Sequence, residues 1–166
     1  MKNNLLSSKV ESKLNELIGQ ELHAMYTYVA AANWCQENGY LRAYDFFLGE
    51  SADEKLHSEV LQKYMLDMGS CPELDDIETP DADYECLNCV IEGALKMETE
   101  LGMMYSKFAS ELTSSDFMTL TKIQEFIKIQ TEAIGFYGDI CSAGEGLSKD
   151  KFQQLMLEKI LVKQAV

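Results

Sequence analysis

Five side chains that can bind metal interrupt the apolar stripes of four helical segments in this sequence. Glu21, Glu54, Glu98 and Gln130 each fall in the middle of a stripe, and His57 lies one turn beyond Glu54. A buried lone carboxylate is unfavourable by several kcal/mol unless it is paired or bound to a metal. A single such residue has ordinary explanations, such as a protonated glutamate or an ion pair. Five in corresponding places, with no lysine or arginine in the same stripes, indicate a cluster of metal ions.

The intervals between these residues predict one site. Glu54 follows Glu21 by 33 residues, and Gln130 follows Glu98 by 32. In two antiparallel helix pairs, nearly equal intervals bring all four side chains to the same height. Glu54 and His57 share one helix face because they are one turn apart. Carboxylate and imidazole ligands suit iron, manganese or zinc, and glutamates combined with Glu-x-x-His motifs form di-iron sites in helical bundles.

Five amphipathic segments have to position these residues. Helical periodicity predicts four long helices and a shorter fifth, at about 8–37, 40–68, 86–113, 116–143 and 148–163. The polar connection between the second and third helices contains both prolines. Its roughly 17 residues can extend over about 55 Å, enough to run the length of a long helix. The pattern therefore predicts an all-α four-helix bundle with one long crossover, in a single domain over residues 1–166.

Composition excludes several function classes. Lys and Arg total 14 against 28 Asp and Glu, and the resulting net charge of −14 argues against nucleic-acid binding. The N-terminus lacks the apolar region of a signal peptide, and no apolar run is long enough to span a membrane. The five cysteines form an odd set rather than a disulfide framework. We therefore expect a cytoplasmic protein with reduced thiols.

Two smaller motifs have more than one interpretation. Cys86 and Cys89 have the spacing of half a zinc site or a redox site, but no second pair accompanies them. We favour small, buried or half-buried thiols at the start of a helix. His23 follows Glu21 by two residues and so points to a different face of the helix. A surface or subunit-contact histidine is favoured over a ligand.

The ordered set of motifs resembles the ferritin family over essentially the whole chain. The similarity is carried by GQELHAMYTY around Glu21, ANWC at 32–35, ESADEKLHSEV around Glu54 and His57, LKMETEL around Glu98, and IQTEAIGFY around Gln130. The resemblance implies a ferritin-like four-helix bundle with one long crossover and a short fifth helix.

The resemblance also implies a ferroxidase centre. Glu21, Glu54 and His57 would bind a first iron ion, and Glu54 would bridge to a second. Glu98 would bind the second iron. Gln130 would lie beside that iron or orient its bound oxygen or water.

Further positions of the ferritin pattern are present in part. Tyr28 matches the tyrosine that borders the centre in active ferritins, where its expected roles are a hydrogen bond and electron donation. Asp53 and Glu132 match two positions of the third iron site of bacterial ferritins. Ile129 and Ala133 occupy the other two positions of that site.

The activity implied by the resemblance is oxidation of Fe(II) by O₂ or H₂O₂, with Fe(III) mineral deposited inside a homo-oligomeric shell of 24 subunits. The fifth helix, with Phe152, Leu155, Met156 and Ile160, would pack around four-fold axes of that shell. No haem is expected, because Lys55 stands where bacterioferritins carry a haem-ligating methionine. Two alternatives stay open: a non-catalytic subunit like a ferritin light chain, and a di-iron oxidase or peroxidase that stores nothing.

Overall fold

The computed structural model describes residues 3–112 and 116–164, and these residues contain helices but no strand. The elements are α1 (Ser8–Glu37), α2 (Leu41–Asp67), α3 (Leu87–Glu111), α4 (Phe117–Gly144) and α5 (Lys151–Gln164). All five predicted helices are present, with ends that differ from the predictions by about three residues or fewer. The predicted end of the third helix, at 113, lies outside the described residues. The all-α prediction is confirmed.

The chain divides into two compact units. The first combines residues up to 30 with 47–82 and holds most of α1, of α2 and of the long connection. The second combines residues 31–46 with those from 83 onward. It holds α3, α4 and α5 and the turn between α1 and α2. None of the described helices is long and apolar enough to cross a membrane.

The predicted apolar stripes of α1 and α2 are buried in the first unit. Leu14 and Leu17 of α1 and Leu61 and Met65 of α2 are almost inaccessible to solvent. Gly69 ends α2 in a left-handed conformation with φ of +88°. A side chain at that glycine would also collide with the backbone of the N-terminal segment. Glycine is therefore required at this predicted helix end.

The connection that follows α2 runs along α1. The backbone N–H of Glu73 donates to the amide oxygen of Asn15 at 3.1 Å. Two turns further along α1, the Nδ1 atom of His23 lies 3.1 Å from the carbonyl oxygen of Glu78. Both bonds satisfy polar groups of a connection that has no regular structure of its own. His23 therefore helps to attach the connection to α1.

Helices α3 and α4 pack against each other in the second unit. The predicted stripe of α3 is buried from Leu87 to Leu112. The sequence predicts an α4 stripe of seven residues, and three of them, Ile123, Gln130 and Tyr137, are buried. The other four predicted members are Leu120, Ile127, Ile134 and Cys141. The structure buries Thr119, Phe126 and Ile140, and leaves these four half-buried. The buried face of α4 is rotated from the predicted one because Phe126 stacks on Tyr105 of α3, with ring centroids 5.1 Å apart.

Two buried polar side chains of α5 accept hydrogen bonds from the first turns of other helices. The carboxylate of Glu158 accepts the backbone N–H groups of Arg42 and Ala43, at 2.9 and 3.1 Å, in the first turn of α2. The Oε1 atom of Gln154 accepts the N–H of Asn88 at 2.9 Å in the first turn of α3. The first N–H groups of a helix lack partners within the helix. Thus α5 supplies hydrogen-bond acceptors to the N-termini of two other helices.

The start of α5 lies three residues after its predicted position. Asp150 acts as the N-cap, since its Oδ1 atom accepts the N–H groups of Phe152 and Gln153 at 3.0 and 3.3 Å. Phe152 is 71% exposed and Met156 is 44% exposed. Uncovered apolar surface on α5, expected from the sequence, is therefore present in the single chain.

Replacing Glu158 tests the capping of α2. Glu158→Ala leaves two N–H groups without their acceptor, so the free energy of unfolding should fall by about 1–2 kcal/mol. Glu158→Gln keeps an oxygen acceptor, so its free energy of unfolding should fall by less. The measurement is urea unfolding followed by circular dichroism, with Lys159→Ala as an exposed control in the same helix. An unchanged unfolding midpoint for Glu158→Ala would rule out this role.

Candidate metal centre

Three predicted ligands come together in the first unit. Glu21 of α1 and Glu54 and His57 of α2 each offer one ligand atom, and these atoms all lie within 4.8 Å of one another. The Nδ1 atom of His57 is 3.1 Å from Oε2 of Glu54 and 3.5 Å from Oε2 of Glu21. Glu21 is 0% exposed and Glu54 is 5% exposed. Two buried carboxylates beside an imidazole form a donor set suited to a divalent transition-metal ion.

Local helix geometry explains this arrangement. Glu54 and His57 are separated by three residues of α2, and residues at that spacing project from the same face. The neighbours of both glutamates along their stripes, including Leu17, Ala24 and Leu61, are fully or almost fully buried. The apolar packing that folds α1 and α2 thus also holds the carboxylates away from water.

The charge of His57 balances the two carboxylates. Burial acts to lower the pKa of His57, but hydrogen bonds and charge interactions with Glu21 and Glu54 outweigh it and raise the pKa to about 10. The imidazole is therefore protonated at neutral pH in the protein without metal. A metal ion bound to the same ring nitrogen takes the place of that proton. The cluster consequently holds a positive charge between its carboxylates both without metal, as the imidazolium, and with metal, as the bound ion.

Two further predicted ligands are buried on neighbouring helices of the second unit. Glu98 of α3 and Gln130 of α4 are both 1% exposed. Gly102, one turn after Glu98, packs against α4, since a Cβ there would lie 3.1 Å from Cδ1 of Ile134 and 3.4 Å from Cβ of Gln130. Neither polar atom of the Gln130 amide has a hydrogen-bond partner among the described residues. A buried amide without partners is unfavourable by about 1–3 kcal/mol. A bound ion, with its water or oxygen ligands, fits this requirement.

Buried tyrosines lie two turns after predicted ligands in both units. Tyr28, two turns after Glu21 on α1, is buried and stacks on Phe47 with ring centroids 5.9 Å apart. Tyr137 is also buried, with its ring edge-on to Phe46 and Phe136. Tyr105 likewise stacks on a phenylalanine, Phe126. Tyr28 is placed on the same helix face as Glu21, as predicted.

Asp53 and Glu132 are not part of the cluster in the first unit. Asp53 belongs to the first unit and Glu132 to the second, and both side chains are exposed. Glu132 lies 3.8 Å from Lys128 in a solvent-exposed ion pair on α4. Surface pairs of this kind contribute little to stability.

Two of the five cysteines are oxidised, although all five were predicted to be reduced. Cys86 and Cys89 form a disulfide, whereas Cys35, Cys71 and Cys141 are free. The prediction of reduced thiols throughout is therefore wrong at this pair. The C-x-x-C spacing was the available signal, because it places two cysteines on one turn at a helix start.

Comparison with known proteins shows the family. Residues 11–146 match the Ferritin family, described as a ferritin-like domain, and the chain belongs to that family. The match includes all five predicted ligands and ends before α5. The fold is accordingly the ferritin-like all-α bundle.

Several bacterial non-heme ferritins are similar to the chain. The Escherichia coli O157:H7 protein is 25% identical over 151 residues, covering 86% of this chain and 92% of that protein. The Campylobacter jejuni protein is 27% identical over 129 residues, covering 77% of each chain. The Staphylococcus aureus (strain USA300) protein is 24% identical over 130 residues, covering 77% of this chain and 78% of that protein.

Metal binding should displace the His57 proton. Because the pKa of His57 is raised to about 10 in the folded protein, the stabilisation from its charge is present in full below the ordinary value of 6.5. That stabilisation is lost as the pH rises through about 10. Between these values, each Zn²⁺ ion bound should release about one proton.

Calorimetry measures this release directly. Zn²⁺, a redox-inert probe, is titrated into the metal-free protein at pH 7.5 in buffers of different ionisation enthalpy. The apparent binding enthalpy should vary with the buffer for the parent protein, and the variation should largely disappear for His57→Gln. Identical enthalpies in all buffers for the parent protein would contradict a displaced proton.

Proposed function

We propose that this chain is the catalytic subunit of an iron-storage ferritin. It binds two Fe(II) ions as substrate, oxidises them with O₂ or H₂O₂ as electron acceptor, and delivers Fe(III) for storage as mineral. The observation that carries the proposal is the cluster of Glu21, Glu54 and His57, in which buried carboxylates surround an imidazole. Membership of the ferritin family supports iron as the metal.

The proposed centre uses two sets of ligands. Glu21 and His57 hold the first iron, and Glu54 bridges to the second. Glu98 binds the second iron, and Gln130 lies beside it. The support for joining the two sets is the matched spacing in the sequence, the burial of all four oxygen-bearing side chains, and family membership. Single-domain organisation over residues 1–166 is part of the same proposal.

The electrostatics of the ligands favour oxidation. Carboxylates in a buried site attract Fe(III) more strongly than Fe(II), because the Coulomb energy grows with the charge of the ion. The ligand set thereby lowers the reduction potential of the bound iron. Gln130 contributes one amide, whose carbonyl oxygen and NH₂ group can orient water or the oxidant. Tyr28 is proposed to donate a hydrogen bond near the first iron and to supply an electron when needed.

Storage is proposed to take place in a hollow homo-oligomer of 24 subunits in the cytoplasm. The uncovered apolar residues of α5, such as Phe152 and Met156, are suited to contacts between subunits. The net charge of −14 per chain favours attraction of iron cations to the assembly. Asp53 and Glu132 are proposed as accessory iron-binding residues outside the di-iron centre.

Replacing ligands should abolish rapid oxidation. Glu54→Ala and Glu98→Gln should each lower the initial rate of aerobic Fe(II) oxidation by at least about 100-fold, because metal-site ligands contribute several kcal/mol to such chemistry. The rate is followed by ultraviolet absorption of Fe(III). Glu100→Gln is the matched control, since it makes the same change two residues away on the exposed side of α3. Unchanged rates in both ligand variants would favour a non-catalytic subunit.

Particle size separates storage from an oxidase that stores nothing. Multi-angle light scattering should give a mass near 24 times the chain mass of 18.8 kDa, before and after iron loading. After loading, electron microscopy should show mineral inside the particle. Rapid oxidation by a dimer that forms no mineral would instead identify a di-iron oxidase or peroxidase.

A further inference from the structure

The disulfide at the start of α3 contributes little to holding the fold together. Cys86 and Cys89 lie on one helical turn, with Cα atoms 5.1 Å apart. A disulfide stabilises a protein mainly by restricting the unfolded chain, and this effect is smallest for the shortest loops. The bond also joins no separate elements. Structural stabilisation is therefore a weak explanation for it.

The sulfur of Cys86 lies at the positive end of a helix dipole. Cys86 is the N-cap of α3, and its Sγ atom accepts the backbone N–H of Cys89 at 3.2 Å. The first turn of α3 contains no acidic residue, and the preceding Glu85 is bound by Lys149. A thiolate at such a helix N-terminus is stabilised by the N–H groups and the dipole. Cys86 is therefore a good leaving group when the disulfide is attacked.

The two cysteines also differ in exposure. Cys86 is buried, at 6% exposure, whereas Cys89 is half-buried. An external thiolate must approach the accessible sulfur of a disulfide along the S–S axis and expel the other sulfur. Access selects Cys89 for attack, and electrostatics select Cys86 for departure. Both factors favour the same direction of reaction.

We propose that Cys86 and Cys89 form a redox site that exchanges with small thiols or dithiols. A dithiol attacks through one thiolate, which bonds to Cys89 Sγ as the Cys86–Cys89 bond breaks and Cys86 leaves as a thiolate. The second thiolate of the reagent then attacks its own bound sulfur and releases the Cys89 thiolate. The dithiol gives two electrons and ends as a disulfide, while the protein gains two thiols after protonation. The reverse sequence reoxidises the pair.

The first test is equilibrium with a redox buffer in the folded, full-length protein. The Cys71→Ser variant removes the exposed free thiol, and a chelator excludes iron chemistry. The protein is equilibrated anaerobically with mixtures of dithiothreitol and its oxidised form, acid-quenched, alkylated and mapped by mass spectrometry. Cys86 and Cys89 should change together between oxidised and reduced forms while circular dichroism stays unchanged. A pair that stays oxidised in excess dithiothreitol until urea unfolds the protein would overturn the proposal.

The second test measures the asymmetry between the sulfurs. Cys86→Ser should form a mixed disulfide with oxidised glutathione at Cys89, and serine preserves the N-cap. Both variants carry Cys71→Ser, and the modified residue is identified by mass spectrometry. Cys89→Ser, which keeps the buried Cys86 as the thiol of the pair, should react at Cys86 at least about tenfold more slowly. Equal rates in the two variants would overturn the assigned direction of attack. Because neither test involves iron, the outcome is independent of ferroxidase activity.

Discussion

Charge balance around two buried carboxylates is the constraint that dominates the first unit. Glu21 and Glu54 are held out of water by the same apolar stripes that fold α1 and α2. A positive charge must accompany them, since isolated carboxylates in this environment are strongly unfavourable. The protonated imidazole of His57 supplies that charge in the metal-free protein. The unit can therefore fold before metal binds, because the proton on His57 supplies the positive charge that the ion would otherwise supply.

Much of this arrangement was predictable from periodicity. Apolar stripes with helical periodicity predict the long helices. Glu21, Glu98 and Gln130 are then recognised as polar residues within otherwise apolar stripes. The prediction was weaker where several apolar residues competed for one face. In α4, the periodicity predicts burial of Ile127, whereas the structure buries its neighbour Phe126, which stacks on Tyr105 of α3. The joining of the two ligand sets stays a prediction, because it rests on spacing and family membership.

Helix starts show a second limit of sequence reasoning. The cap of α4 by Asp116 is local, since its side chain accepts the N–H of Thr119 three residues later at 3.0 Å. The cap of α2 by Glu158 links residues 116 positions apart, and no local pattern indicates it. At Cys86 the spacing was visible, but spacing alone does not determine whether two sulfurs are bonded. Local chemistry was thus predictable, whereas distant partners and oxidation state were not.

Helix α5 departs from the usual rule for amphipathic helices at two positions, since polar side chains are buried there beside Leu157 and Leu161. Gln154 and Glu158 face inward, while Phe152 and Met156 remain at the surface. Consequently, the sequence of α5 and the N-termini of α2 and α3 must change together. A chimera that imports a fifth helix from a relative must bring matching acceptors for the α2 and α3 N-termini. A redesign guided by hydrophobicity alone would replace Gln154 and Glu158 with apolar residues and leave those N–H groups without acceptors.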